Sequence, residues 1–377
     1  DQPQRWAAAP AIFMGLSGLL LIGFGSSIDD VLSWVWPPLL LVLVVWMAFQ
    51  VRRCLRSRAG RWLLYPVLTV LALAAVGGGW QTASAAADTR DYPPPGRLID
   101  VSGHRLHLVC TGSGSPTVIL EAGAGGMSSG FGWIAPAVAR TTRVCAYDRA
   151  GHGWSVDHSQ NAREIATDLH ELLARGHVPG PYVLAGHSFG GLYALTFAAH
   201  YPDEVAGMVL VDTTAPAAGA ASTAAPSESR ASYSLVDRLS VLMATSARVG
   251  VTRLIGIQDY RTLPPQSAGE NRATAAREDH ARSTLDEYVQ ASTSTHQAAA
   301  LTNFDAKPLV VLTAGVGMRD AGLAAHERLA ALSGKSAHRV VEGADHMGLI
   351  DDESSAITTT EAIVEVVDSV RDLQLHQ

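Results

Sequence analysis

Little in this chain supports metal or nucleotide chemistry. Its three cysteines and fourteen histidines form no cluster with zinc spacing. The glycine-rich LEAGAGG lacks the Lys-Ser/Thr of a phosphate loop, and no dinucleotide fingerprint follows the first strand. The reading needs no cofactor and no metal. Positive charge is scarce beyond residue 86: six Arg and three Asp lie before that point, so the remainder carries 22 basic against 32 acidic residues, a net charge near −10. Such a surface repels phosphate backbones, which argues against a nucleic-acid partner.

Charge is missing altogether from three long runs, Trp6 to Ser27, Val31 to Val51 and Trp62 to Ala87. Each can supply the roughly 20 apolar residues that cross a bilayer as a helix. The connection between the second and third runs holds Arg52, Arg53, Arg56, Arg58 and Arg61, whereas the first connection holds Asp29 and Asp30. Arginine-rich loops stay in the cytoplasm. The chain is therefore predicted to be a multi-pass protein of the cell membrane with three transmembrane helices in residues 1–86. Its N-terminus and arginine loop face inward, and everything after Trp80 faces the extracytoplasmic side. Trp6, Trp34, Trp36, Trp62, Tyr65 and Trp80 lie mostly near the run ends, where amphipathic rings favour the interface. A cleaved signal peptide is the rival for part of this region, because the third run ends in small residues after an arginine cluster.

Residues 81 to 95, QTASAAADTRDYPPP, are small, polar and proline-rich, and residues 87–95 are read as a linker. A catalytic domain then spans 96–377. It opens with the strand-like RLIDV, a Ser102-Gly103 turn and HRLHLVC, whose period-two alternation predicts an edge hairpin. PTVILEAG follows. Later segments, TTRVCAYD, GPYVLAGHS, VAGMVLVDT and KPLVVLTAG, are short, continuously apolar and separated by helical stretches, the pattern of a parallel sheet covered on both faces. Apolar strands stop at about 213–304, which reads as a helical cap insertion with patches such as SLVDRLSVLM and TLDEYVQAS. Its first part, TTAPAAGAASTAAPSESRAS, has the composition of a poorly ordered loop.

The strongest chemical signal is Gly186-His187-Ser188-Phe189-Gly190-Gly191 between the strand YVLA and the helix-like LYALTFAAHY. A serine at a strand-to-helix turn is lifted clear of the sheet, and flanking glycines permit the close backbone approach this requires. Ser188 is the expected nucleophile. His346, in Gly343-Ala344-Asp345-His346-Met347-Gly348 after the strand-like HRVV, fits the base. Asp148 reads as a structural carboxylate bonding local backbone donors, and His152 as a loop-ordering residue. Asp345 adjoins His346, but adjacent side chains in a loop point apart.

From Gly96 to the C-terminus, with LEAGAGG, YDRAGHGWS and GHSFGG, the chain resembles the α/β-hydrolase superfamily, in particular its esterase-like branch. The resemblance implies an α/β fold with a mostly parallel eight-stranded sheet, a variable helical cap, and a triad in the order serine, acid, histidine. It implies an oxyanion hole from the N–H groups of Phe189 and Ala124, although Ala122 stands where the family usually has histidine. For the acid, Asp212 ends the strand GMVLVD, a position some members use. Asp320 follows LVVLT, where most carry it, but lies farther past Gly315 than the usual spacing and also begins a helix-like stretch. Both stay open. Cys54 falls in the arginine loop, whereas Cys110 and Cys145 fall in the external part and form either a disulfide or two free thiols. The family's strand order would put them on neighbouring strands.

The expected function is a membrane-anchored serine hydrolase acting on carboxylic esters or a related small or lipid-like acyl substrate. The alternatives are another reaction on the same fold, as peptidase, lyase or cofactor-free haloperoxidase, and an inactive membrane-bound binding protein.

Overall fold

In the computed structural model, which describes residues 8–24, 29–55, 57–156, 160–216, 245–255 and 260–375, the predicted edge hairpin is present. β1 (Arg97–Val101) pairs antiparallel with β2 (His104–Thr111), Val101 opposite His104. Ser102 and Gly103 turn the chain with φ of 50° and 92°, left-handed values that glycine tolerates without a Cβ penalty.

β2 pairs antiparallel with β4 (Val144–Asp148), and from there every strand runs parallel. β3 (Thr117–Glu121) lies between β4 and β5 (Tyr182–His187); β6 (Val205–Val211), β7 (Leu309–Ala314) and β8 (Ser336–Val341) follow. The eight-stranded order is β1-β2-β4-β3-β5-β6-β7-β8. β3, β4, β5 and β7 are buried at every residue, as expected for apolar strands covered on both faces. One core cluster includes Ile119, Leu184, Leu210 and Val311, and the other Val118, Val183, Val209 and Val310, so alternate residues of the same strands feed the two faces.

The N-terminal region holds α1 (Ala9–Phe24), α2 (Asp29–Cys54) and α3 (Arg58–Asp91). Among the described residues two helices are long and apolar enough to cross a membrane by length and composition, Val31–Cys54 and Arg58–Asp91. Within the first run the described helix has 16 residues, about 24 Å of rise, and the ends of that run lie outside the described residues. Among the described residues two candidate spans thus stand where the sequence predicted three. Residues 87–91 also differ from the linker reading: they continue α3, because the alanines at 85–87 favour helix, and proline enters only at Pro93.

The chain divides into two compact units, residues 1–91 with 244–257, and residues 92–243 with 258–377. In the first, α2 and α3 share a small core of Leu40, Val44, Met47, Val51, Leu68 and Ala75. Residues 245–255, which include α7 (Val251–Ile255), also pack here. Arg253 donates to Gln81 Oε1 at 2.9 Å and to Asp88 Oδ2 at 2.7 Å. A Cβ on Gly77 would lie 2.3 Å from the Val249 carbonyl oxygen, so this approach requires glycine. In the second unit the insertion between β6 and β7 forms α8 (Pro265–Ala275), α9 (Glu278–Val289) and α10 (Ala291–Ala298). Most of TTAPAAGAASTAAPSESRAS and all of SLVDRLSVLM lie outside the described residues.

Candidate active site

Ser188 stands between β5 and α6 (Phe189–His200) with φ 55° and ψ −121°, a conformation a non-glycine residue adopts only where its surroundings force it. The surroundings do so through missing side chains. A Cβ on Gly186 would meet the Gly190 carbonyl oxygen at 2.6 Å, one on Gly190 would meet the Glu121 carbonyl oxygen at 2.2 Å, and one on Gly191 would meet Thr213 Cγ2 at 2.1 Å. The Ser188 N–H donates to Val211 O at 3.0 Å, tying the turn to the end of β6. Ser188 is half-buried at the N-terminus of α6, where unpaired N–H groups and the helix dipole favour negative charge.

Asp212, one residue beyond β6, has φ 42°. Its N–H donates to Leu312 O at 2.8 Å, and its Oδ1 accepts from the Ala314 N–H at 3.0 Å. Its Oδ2 lies 2.6 Å from Nδ1 of His346, in the exposed loop after β8. Burial opposes the Asp212 charge, but the hydrogen bond from His346, reinforced by the Ala314 N–H, holds the carboxyl below its ordinary range. The other expected acid, Asp320, is exposed in the first turn of α11 (Asp320–Ala330). Asp345 accepts from the Gly348 N–H at 2.7 Å.

His187 anchors the His346 loop. Its Nε2 donates to the His346 carbonyl at 2.8 Å, and the two rings lie 4.6 Å apart. Burial, with the nearby His346, pushes the His187 pKa down to about 4, so its ring is neutral near pH 7. Gly123 closes the other side: a Cβ there would lie 3.0 Å from Ser188 Cβ. Ala124, the expected oxyanion donor, follows it and is half-buried, as is Phe189.

Asp148 is fully buried and accepts from the N–H groups of Ser128 at 2.7 Å and Trp154 at 3.2 Å and from Nδ1 of His107 at 2.8 Å. Burial disfavours its charge, but these donors together hold its pKa below the usual value. It orders the turn, as expected. His152 is buried with Nδ1 on the Ala150 carbonyl at 3.0 Å.

Sequence reasoning passed over a buried polar group beside the site. Arg149 donates to the carbonyls of Ala122 at 2.7 Å and Gly123 at 2.6 Å, to Glu287 Oε1 at 2.6 Å and to Glu121 Oε1 at 3.3 Å. It also stacks over the Tyr193 ring, 4.9 Å from the centroid. The two carboxylates respond in opposite ways. Glu121 is raised to about 7 by burial, which its longer contact with Arg149 does not offset. Glu287 is held well below its ordinary value despite burial, because the short charge-assisted bond from Arg149 outweighs desolvation. The available signal was a Glu and an Arg closing the neighbouring strand segments ILE and YDR. Their third partner lies 138 residues beyond Arg149. Among the described residues no group of three or more His, Cys, Asp or Glu has the arrangement to hold a metal ion.

Cys110 and Cys145 face each other across β2 and β4 and form a disulfide; Cys54 is free and exposed.

Comparison with known proteins adds a family. A family model described as alpha/beta hydrolase fold matches residues 116–353. An uncharacterized protein of Schizosaccharomyces pombe is 36% identical over 150 residues, 31% of this chain and 28% of that protein. A 2-hydroxymuconate semialdehyde hydrolase of Pseudomonas sp. strain CF600 is 30% identical over 126 residues, 32% of this chain and 44% of the enzyme. The chain thus spans less than half the length of these relatives. Among solved structures, Cfl2 of Burkholderia cenocepacia superimposes with a TM-score of 0.56 at 22% identity, covering 72% of this chain and 95% of that one, a likeness of fold alone.

Proposed function

This chain belongs to the α/β-hydrolase fold family, and on that premise we propose that it is a membrane-anchored serine hydrolase of carboxylic esters or related acyl compounds. The observation that carries the proposal is the 2.6 Å pairing of Asp212 Oδ2 with His346 Nδ1, on a loop that His187 holds at 2.8 Å while its neighbour Ser188 is kept at positive φ. With Nδ1 donating to the carboxylate, the free Nε2 of His346 is the base. It takes the Ser188 proton as Oγ bonds to the acyl carbon, and the carbonyl oxygen becomes an oxyanion held by the N–H groups of Phe189 and Ala124. Collapse breaks the bond to the leaving group, which receives the proton from His346. Water then repeats the sequence on the acyl-enzyme and restores Ser188.

The relatives that carry the name hydrolase support hydrolysis as the reaction class. Anchoring is supported by two helices of sufficient length and apolarity, and the arginines around Cys54 favour a cytoplasmic side for the loop between them. The Cys110–Cys145 disulfide suits an oxidising, extracytoplasmic placement of the catalytic unit. A small-molecule or lipid-like acyl substrate follows from the chemistry.

The test is activity-based labelling of the full chain in detergent. A fluorophosphonate probe labels the wild type, and Ser188→Ala abolishes both labelling and turnover of p-nitrophenyl esters while preserving the fold. Labelling or turnover that survives Ser188→Ala refutes the assignment. Turnover of aminoacyl amides in preference to acyl esters assigns a peptidase instead.

A further inference from the structure

The loop expected to supply the second oxyanion donor carries Ala122 where a histidine commonly supports it, and the structure shows what holds it instead. Two successive peptide groups flank the Ala124 residue. The first joins Gly123 to Ala124, and its carbonyl oxygen accepts from Arg149 at 2.6 Å. The second joins Ala124 to Gly125, and its N–H donates to Glu287 Oε2 at 2.7 Å. Arg149 and Glu287 are themselves bonded at 2.6 Å, and both are buried. The described cis bonds are both X-Pro, so the Gly123–Ala124 peptide is trans, with its C=O and N–H pointing in opposite directions. Fixing the Gly123 oxygen on a guanidinium therefore fixes the direction of the Ala124 N–H. It also polarises that peptide, leaving its N–H a stronger donor to developing negative charge.

The two grips come from different parts of the chain. Arg149 follows β4, in the sheet, and Glu287 lies on α9, in the insertion. A second contact ties α9 to the same loop: Gly125 has φ 66°, and a Cβ on it would lie 2.8 Å from Thr284 Cγ2.

We infer that Arg149 and Glu287 are positioning residues which grip the peptides on either side of Ala124, aligning its N–H as an oxyanion donor only when helix α9 of the cap is seated. This rests on the acyl-hydrolase reading above. It makes cap placement and oxyanion stabilisation a single state: if α9 lifts, Glu287 leaves the Gly125 N–H, and Arg149 loses its closest carboxylate.

The experiment uses the full chain in detergent, with p-nitrophenyl butyrate as substrate and phenylboronic acid as a probe that becomes tetrahedral and anionic on Ser188. Glu287→Gln and Arg149→Lys are each expected to lower kcat by roughly 10- to 100-fold, the scale of a misplaced oxyanion donor. KM should change by less than about threefold, and phenylboronic acid should weaken by a factor similar to the loss in kcat. The double variant should be little worse than the poorer single variant, since the pair acts as one unit. Unchanged kcat and boronate affinity in both variants overturns the inference. So does a loss confined to KM, or a variant without native circular dichroism, because the pair would then serve binding or the fold. Ser188→Ala separates this from the underlying reading. Turnover surviving in Ser188→Ala removes the acyl-hydrolase assignment, whereas an inert Ser188→Ala beside a fully active Glu287→Gln removes only the clamp.

Discussion

Asp212 Oδ2 and His346 Nδ1 lie 2.6 Å apart although 134 residues separate them in the chain. The carboxylate is held from behind by the Ala314 N–H, so it presents one oxygen to the imidazole in a fixed direction. Asp212→Asn should leave the fold intact and lower kcat by roughly 10⁴-fold, because an amide no longer stabilises the imidazolium or enforces the productive tautomer. Asp320→Asn should remain within about twofold of wild type. Steady-state kinetics on p-nitrophenyl esters checks both, and a larger loss from Asp320→Asn would move the acid to β7.

Glu121 supplies a pH signature. Its folded pKa, raised to about 7 by burial, exceeds its ordinary 4.5, so between these values the folded chain holds more protons than the unfolded chain. The stability this proton contributes is full below about 4.5 and is lost as pH rises through about 7. Glu287, held below its ordinary value, contributes in the opposite sense, and its share is lost only as pH falls into the acid range. Glu121→Gln should flatten the decline in melting temperature between about pH 5 and 7.5. Thermal unfolding of the two proteins across that range checks this; parallel curves contradict it.

The Cys110–Cys145 bond closes a span of 35 residues between the hairpin and the parallel strands. By loop-closure entropy its removal should cost about 3–4 kcal/mol, or on the order of 10 °C in melting temperature. Cys110→Ser with Cys145→Ser, compared with the reduced and oxidised wild type, measures it. The double variant should match the reduced protein.

Cys54 can test the proposed membrane orientation, since it is the one free cysteine among the described residues. With the arginine loop inside, a membrane-impermeant maleimide should label it only after cells are permeabilised. Labelling in intact cells would invert the proposed topology.

The parallel strands and the strand-to-helix turn at Ser188 were legible because both are written locally. Apolar runs such as TVILE and YVLAGH have one place to go in a covered sheet, and the glycines around Ser188 are required by contacts within a few residues of it or with adjacent strand ends. The preference for Asp212 over Asp320 was only weakly legible: both stand just beyond neighbouring strands, and it is the folded path of the β8 loop that brings His346 within 2.6 Å of Asp212. Arg149 and Glu287 were invisible for the same reason, as their partnership depends on where α9 docks. Residues 87–91 read as linker because short polar stretches suit a linker and a helix end about equally, and continuity with α3 decides. The first apolar run yields a shorter apolar helix among the described residues, and the ends of that run lie outside them.

The chain path between the two units has a consequence for shedding of the catalytic part. Having left α3 at Asp91, the polypeptide comes back at residues 245–255 and lies against that same helix, with Arg253 paired to Asp88 and Val249 pressed on Gly77. A cut within Tyr92–Pro95 would therefore leave residues 245–255 still seated on α3 by noncovalent contacts. Separation of the fragments would then require those contacts to open as well, so α3 is joined to the rest of the chain both by a peptide bond and by a reversible set of contacts.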